Sequence, residues 1–241
     1  MRRLLVLAVL VPGVSLAAAE RAHHWAYEGA EGPSHWGGAC AAGKAQSPVD
    51  IRSASARHAV LPALEFHYRP GALHVVDNGH AIQVRVPAGS SMTVGGERFE
   101  LVQFHFHEPG EESVDGRRSE MDVHLVHKDA AGRLAVVAVP FGVGADNKAV
   151  AEIAGHLPAK EGREESPAGE RLDPSALLPA DRAYFTYWGS LTTPPCTEGV
   201  RWFVLRSPQS ITAPELGTFA KVHHGNARPV QPLNGRSVAT S

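Results

Sequence analysis

The chain lacks a charge excess of either sign. Its 23 Lys and Arg nearly balance 25 Asp and Glu, giving a formal charge of −2 over 241 residues, so neither nucleic acid nor a basic membrane-surface role is indicated. It also lacks a membrane span. The longest apolar stretch, from Leu4 to Leu16 behind Arg2 and Arg3, is too short and too lightly flanked to cross a bilayer. With Ala17, Ala18 and Ala19 after it, this stretch has the layout of a secretory signal peptide over residues 1–19, cut after Ala19. No cysteine follows the cut, which argues against a lipoprotein anchor. The expectation is an exported, soluble chain without a membrane anchor, periplasmic or secreted.

Cysteine is scarce as well: Cys40 and Cys196 are the two in the chain. An even number in an exported protein favours a disulfide over a metal pair, the alternative being two unpaired buried thiols. The bridge would close a loop of more than 150 residues, worth about 4–5 kcal/mol in the chain-entropy model. No internal repeat and no linker divides residues 20–241. Hydrophobic residues at 43% and charged ones at 20% are ordinary for one globular domain with a sizeable core.

Short β-type runs recur along that domain. LHVVDNGHAIQVRV (73–86) reads as two strands around Asn78-Gly79, and SMTVGGERFELVQFHFH (91–107) as a hairpin through Gly95-Gly96. Strands are also expected in 120–128, 133–143 and 200–207. Helices are expected over 145–157 and 212–222, where Thr212 and Glu215 have capping-box spacing. Residues 158–179, rich in Pro, Gly and charge, read as loop. The fold is mainly β with peripheral helices.

Histidine is abundant, and LVQFHFHEPGEE (101–112) sets two histidines one residue apart. Fourteen histidines placed at random in 241 residues would give about 0.8 such pairs, so spacing alone is weak. On a strand, Gln103, His105 and His107 share one face while Val102, Phe104 and Phe106 take the other, toward a core. MDVHLVHK (121–128) offers a third imidazole. His124 shares a face with Asp122 and Val126, and Asp122 and Gln103 could each accept an imidazole N–H, as a metal-bound histidine requires. His127, on the opposite face, reads as a structural hydrogen-bonding residue. Three neutral imidazoles without thiolate or carboxylate suit Zn²⁺ with one open position; the competing reading is three satisfied core histidines.

HHWAYEG (23–29), QSPVDI (46–51), DNGHAIQV (77–84), VQFHFHEP (102–109), MDVHLVHKD (121–129), YWGSLTTPPCTEGVRWFVL (187–205) and NARPVQPLNGR (226–236) together resemble the α-class carbonic anhydrases. The resemblance runs from about His23 to Asn234. It implies a central, largely antiparallel twisted sheet of about ten strands and a zinc lyase that hydrates CO₂ reversibly to bicarbonate and a proton. The implied zinc ligands are His105, His107 and His124, supported by Gln103, Asp122 and the Asn226 side; Asp122 departs from the family's usual Glu. Thr192 resembles the residue that orients the attacking hydroxide and donates its own proton to a buried glutamate. Of Glu111 and Glu112, the motif selects Glu111 and leaves Glu112 a solvated loop charge.

The same resemblance implies an apolar CO₂ wall of Val126, Val136, Leu191, Val200 and Trp202, with Thr193 lining the cleft. It places a proton-shuttling histidine at His80, a water-ordering tyrosine at Tyr27, and cis bonds at Ser47-Pro48 and Pro194-Pro195. The Cys40–Cys196 bridge would tether the loop that carries Thr192. A homodimer is an expectation by analogy with bacterial members. The alternative to an enzyme is a catalytically inactive secreted binding protein on the same fold, against which the full set of histidines, Thr192 and the glutamate counts.

Overall fold

The computed structural model describes residues 24–241, so the signal peptide read over residues 1–19, and His23, lie outside the described residues. Ten strands follow one hydrogen-bonded path. In chain order they are β1 (Arg57–His58), β2 (Val75–Asp77), β3 (Ile82–Arg85), β4 (Glu97–His107), β5 (Met121–Lys128), β6 (Leu134–Val143), β7 (Glu164–Glu165), β8 (Tyr184–Ser190), β9 (Glu198–Leu205) and β10 (Ala239–Thr240). Their order across the sheet is β7-β2-β3-β4-β5-β6-β9-β8-β10-β1. Three more strands, Leu64–His67, Ser91–Val94 and Gln209–Ile211, attach to the sides of this path and bring the sheet to 13. Within this sheet, parallel pairing is confined to β6 with β9, β6 with Gln209–Ile211, and β10 with β1. The sheet is therefore largely antiparallel, as the family resemblance implies, with a mixed centre.

The hairpin through Gly95 and Gly96 forms with φ of 58° and 82°, a backbone that a β-carbon would resist. Downstream, β4 departs from strict alternation. Phe99 and Leu101 are buried, then Phe104 and Phe106, while Val102 is 43% exposed. A register shift opposite Val126 and His127 of β5 inserts the extra residue. Val102 thus does not join the core face that simple parity gives it: the bulge turns it out and resets the alternation, so that Phe104 and Phe106 point inward and Gln103, His105 and His107 point to the other side. Each buried Phe contributes about 1.5–3 kcal/mol by leaving water.

On the Phe side, Val123 and Leu125 of β5, Val137 and Val139 of β6 and Phe203 of β9 form the main core. Helices α2 (Lys148–Ala154) and α3 (Ala213–Val222) cover it, the latter through Phe219, whose ring centre is 4.8 Å from that of Phe106; a single-turn helix, α1 (Ala39–Ala42), precedes them in the chain. Thr212 and Glu215 make the expected capping box on α3. The helix expected over 145–157 is shorter, because the Asn147 side chain caps it at the start and Gly155 ends it. Residues 158–179 are not all loop. Glu164–Glu165 extends the sheet edge against Val75 and Val76, and Arg171–Leu172 pairs with Gly71–Ala72. Ser47-Pro48 and Pro194-Pro195 are cis, and so is Glu108-Pro109. Among the described residues no helix is long and apolar enough to cross a membrane.

His127 lies fully buried on the core side, with Nε2 2.7 Å from the Tyr68 hydroxyl. Burial pushes its pKa from the usual 6.5 down to about 4. The folded imidazole stays neutral where the unfolded one takes a proton, so the contribution, about 3 kcal/mol, is complete above pH 6.5 and lost as pH falls through 4. Thermal unfolding between pH 7 and 4 should show this decline, and His127→Gln should flatten it; an unchanged slope would assign the acid sensitivity to other groups.

Candidate active site

Strand register assembles the three histidines. In the antiparallel β4–β5 ladder, His124 faces His105 and Asp122 faces His107. Ring centres lie 5.0 Å (His105–His107), 5.4 Å (His105–His124) and 4.6 Å (His107–His124) apart. One nitrogen from each ring lies within 4.8 Å of the other two. The outer nitrogens are already engaged. His105 Nδ1 is 2.9 Å from Gln103 Oε1, and His107 Nδ1 is 2.7 Å from the Asn226 carbonyl oxygen. His124 Nε2 lies 3.2 Å from Glu112 Oε2 and 3.3 Å from Asp122 Oδ2. These bonds fix each ring and leave His105 Nε2, His107 Nε2 and His124 Nδ1 for the centre; His107 Nε2 is buried with no hydrogen-bond partner. Asn226 supports the site through its backbone, while its side chain donates to the His80 and Phe106 carbonyls and accepts from the Glu108 N–H.

Burial, reinforced by His107 and His124, holds His105 neutral well below the ordinary imidazole range. Burial also opposes charge on His124, but Asp122 and Glu112 outweigh it and raise that pKa well above 6.5. Asp122 remains ionised despite burial because His124, His107 and the Glu111 N–H lower its pKa. Glu112 is pushed up by burial, with Asp122 and Glu111 adding to that push against the pull of His124.

The two glutamates approach His124 from opposite sides, Glu111 toward Nδ1 and Glu112 toward Nε2. Glu111 Oε1 accepts the Arg228 N–H at 2.7 Å, and its Oε2 sits 3.6 Å from His107 Nε2 and 3.9 Å from His124 Nδ1. Glu112 is 7% exposed and bound to His124, with the Tyr187 hydroxyl donating to it at 3.4 Å. It is therefore not a solvated loop charge, because the far side of the segment is also protein interior. Thr192 is buried on the turn after β8. Its hydroxyl makes no bond to Glu111 Oε2, which has no hydrogen-bond partner and turns toward the imidazoles instead.

Beside His124 runs an apolar row fixed by cross-strand pairing: Val126 faces Val136, which faces Trp202. Val200 and Leu191 pack into the same cluster, and the Trp202 ring centre is 4.9 Å from that of His124. Thr193 is half-buried at the edge, its carbonyl accepting the Cys196 N–H. His80, half-buried, stacks on Trp25 with ring centres 3.7 Å apart, and burial, then His24 and His223, lower its pKa. Tyr27 packs edge-on against Trp25 and Trp36; burial first, then Glu111 and Asp122, raise the pKa of its hydroxyl.

Cys40 and Cys196 form a disulfide. Arg228, 2% exposed, braces it: its guanidinium donates to the Cys40 and Ser47 carbonyls and to Gln46 Oε1. The sequence marks no role for Arg228 or Tyr187, and Glu112 reads there as a solvated loop charge. The signal for Arg228 was its place in NARPVQ, and nothing local marks an arginine for burial.

The model of the eukaryotic-type carbonic anhydrase family matches residues 31–241. A carbonic anhydrase of Klebsiella pneumoniae is 42% identical over 226 residues, covering 90% of this chain and 91% of its own, and that of Pectobacterium atrosepticum is 39% identical over 240 residues, covering 96% and 97%. Among solved structures, the α-carbonic anhydrase of Thermovibrio ammonificans, in complex with the inhibitor sulfanilamide, superposes with a TM-score of 0.86 at 43% identity, covering 90% of this chain and 98% of that one. With the motifs in order and the three histidines brought to one point, the chain belongs to the eukaryotic-type, or α-class, carbonic anhydrase family.

Proposed function

We propose that the reversible hydration of CO₂ by this carbonic anhydrase takes place where His105 Nε2, His107 Nε2 and His124 Nδ1 converge, and that these atoms hold zinc. The observation that carries this reading is the engagement of each ring's outer nitrogen, which leaves three inward nitrogens, one of them buried without a partner. Three nitrogen donors without thiolate fit Zn²⁺ and leave a fourth position open. When bound, zinc would supply hydroxide at neutral pH by lowering the pKa of water to about 7, the established behaviour of carbonic anhydrases.

The protein's own groups do the remainder. CO₂ has no net dipole, so Val126, Val136, Leu191, Val200 and Trp202 can receive it where few groups hold water. Thr192 has one proton to give and lone pairs to accept with, so donating to Glu111 Oε2 would fix which way its oxygen accepts and thereby aim the attacking group. His80 has a lowered pKa and is a neutral acceptor at pH 7, only half-buried and so able to pass a proton to solvent. Tyr27 presents a buried hydroxyl near enough to Glu111 and Asp122 to feel their charge. The apolar run over residues 4–16 and the disulfide both fit export to an oxidising compartment, the periplasm in our reading.

Metal analysis and stopped-flow CO₂ hydration of the mature protein, before and after chelation, test the reading. One zinc per chain, with hydration lost on stripping and restored by zinc, is expected. Zinc bound at one per chain without hydration would mean an inactive binding protein on this fold.

A further inference from the structure

Asp122 is a divided acceptor. Its Oδ2 takes the Glu111 N–H at 2.8 Å and lies farther, 3.3 Å, from His124 Nε2, while its Oδ1 has no partner. An aspartate on the same strand face as His124 and two residues away has little reach, and here the nearer donor is the backbone. Glu112 Oε2 approaches the same imidazole nitrogen from the other side, at 3.2 Å. Glu112 is itself aimed: Tyr187 donates to Oε1 at 3.4 Å, the Tyr187 hydroxyl is 3.1 Å from Ser47 Oγ, and the Tyr187 ring stacks parallel to Trp202. All of these groups are buried.

We propose that Glu112 is a positioning residue for His124: its oxygen completes the acceptor that Asp122 is too short to supply alone, and the two side chains together hold the ring with Nδ1 inward. The inference rests on the reading of His105, His107 and His124 as zinc ligands. Its distinguishing feature is reach. What matters is an oxygen within hydrogen-bond distance of His124 Nε2, whichever of the two positions provides it.

The test is the rate of zinc release from the loaded mature protein into excess 4-(2-pyridylazo)resorcinol, with thermal unfolding followed in parallel. Glu112→Asn keeps a polar group but withdraws it by one methylene, and should release zinc at least about tenfold faster, the usual scale for losing a group that supports a metal ligand. Glu112→Gln keeps the reach and should release zinc at close to the wild-type rate. Adding Asp122→Glu to Glu112→Asn should restore slow release, because the acceptor now reaches from the other side. A Glu112→Asn variant with the wild-type rate overturns the proposal, and so does failure of Asp122→Glu to restore it, since a role in packing alone would not be recovered by lengthening a different side chain. Failure of the zinc reading is visible separately, as wild-type protein that takes up no zinc.

Discussion

Replacing His124 with alanine should leave a folded protein that retains no zinc through purification and hydrates CO₂ at least about a thousandfold more slowly, the scale on which a metal stabilises developing charge by several kcal/mol. The loss follows from geometry. His105 and His107 alternate along one strand and offer two nitrogens on one side, and the third must come across the ladder, where His124 pairs with His105. Two imidazoles cannot close a site that needs three donors. Removing His124 also leaves Glu112 and Asp122 facing each other without the imidazole N–H between them, so a fall in thermal midpoint should accompany the loss, and circular dichroism separates the two effects. The same substitution at His127, three residues on, is the control. His127 points into the opposite core toward Tyr68, so His127→Ala should lower stability yet retain one zinc per chain and a near-normal rate. Retention of zinc and rate in the His124 variant would transfer the ligand role to another group and sink the assignment.

What the sequence made legible was whatever depends on alternation and on short-range order. The parity of residues 103–107 and 122–126 separates the histidines from the core, and the structure keeps that separation. Parity failed one step upstream, at Val102, because a bulge is a two-strand event: the extra residue is defined by what β5 pairs with, and β4 alone carries no sign of it. Glu112 was misread for a related reason. A charged residue after Pro-Gly looks solvated until a second layer, Tyr187 from β8 and His124 from β5, closes over it. The sheet edge at Glu164–Glu165 was hidden by composition, since two glutamates among Pro and Gly have poor strand propensity and pair only because Val75 and Val76 offer an open edge. The motifs carried the family, and the contacts from residue to residue had to be seen.

Breaking the Cys40–Cys196 bridge should lower stability far more than activity. The bridge spans 156 residues of sequence, and closing a loop of that length removes about 5 kcal/mol of chain entropy from the unfolded state in the usual model. For a domain of this size each kcal/mol moves the thermal midpoint by about 2–4 °C, so reduction, or Cys40→Ser with Cys196→Ser, should lower it by roughly 10–20 °C. The turn that carries Thr192 has other anchors that survive reduction. The Cys196 N–H donates to the Thr193 carbonyl at 2.8 Å, Gln46 Nε2 donates to the Cys196 carbonyl at 3.1 Å, and Arg228 holds the Cys40 side through the Cys40 carbonyl. With those bonds in place, the hydration rate at 25 °C should stay within about twofold of the oxidised protein, since no backbone near Thr192 depends on the sulfur atoms alone. Thermal scans and stopped-flow rates on the same oxidised and reduced samples decide it. A large fall in rate with little change in midpoint would reverse the assignment, making the bridge a clamp on Thr192 instead of a constraint on the unfolded chain.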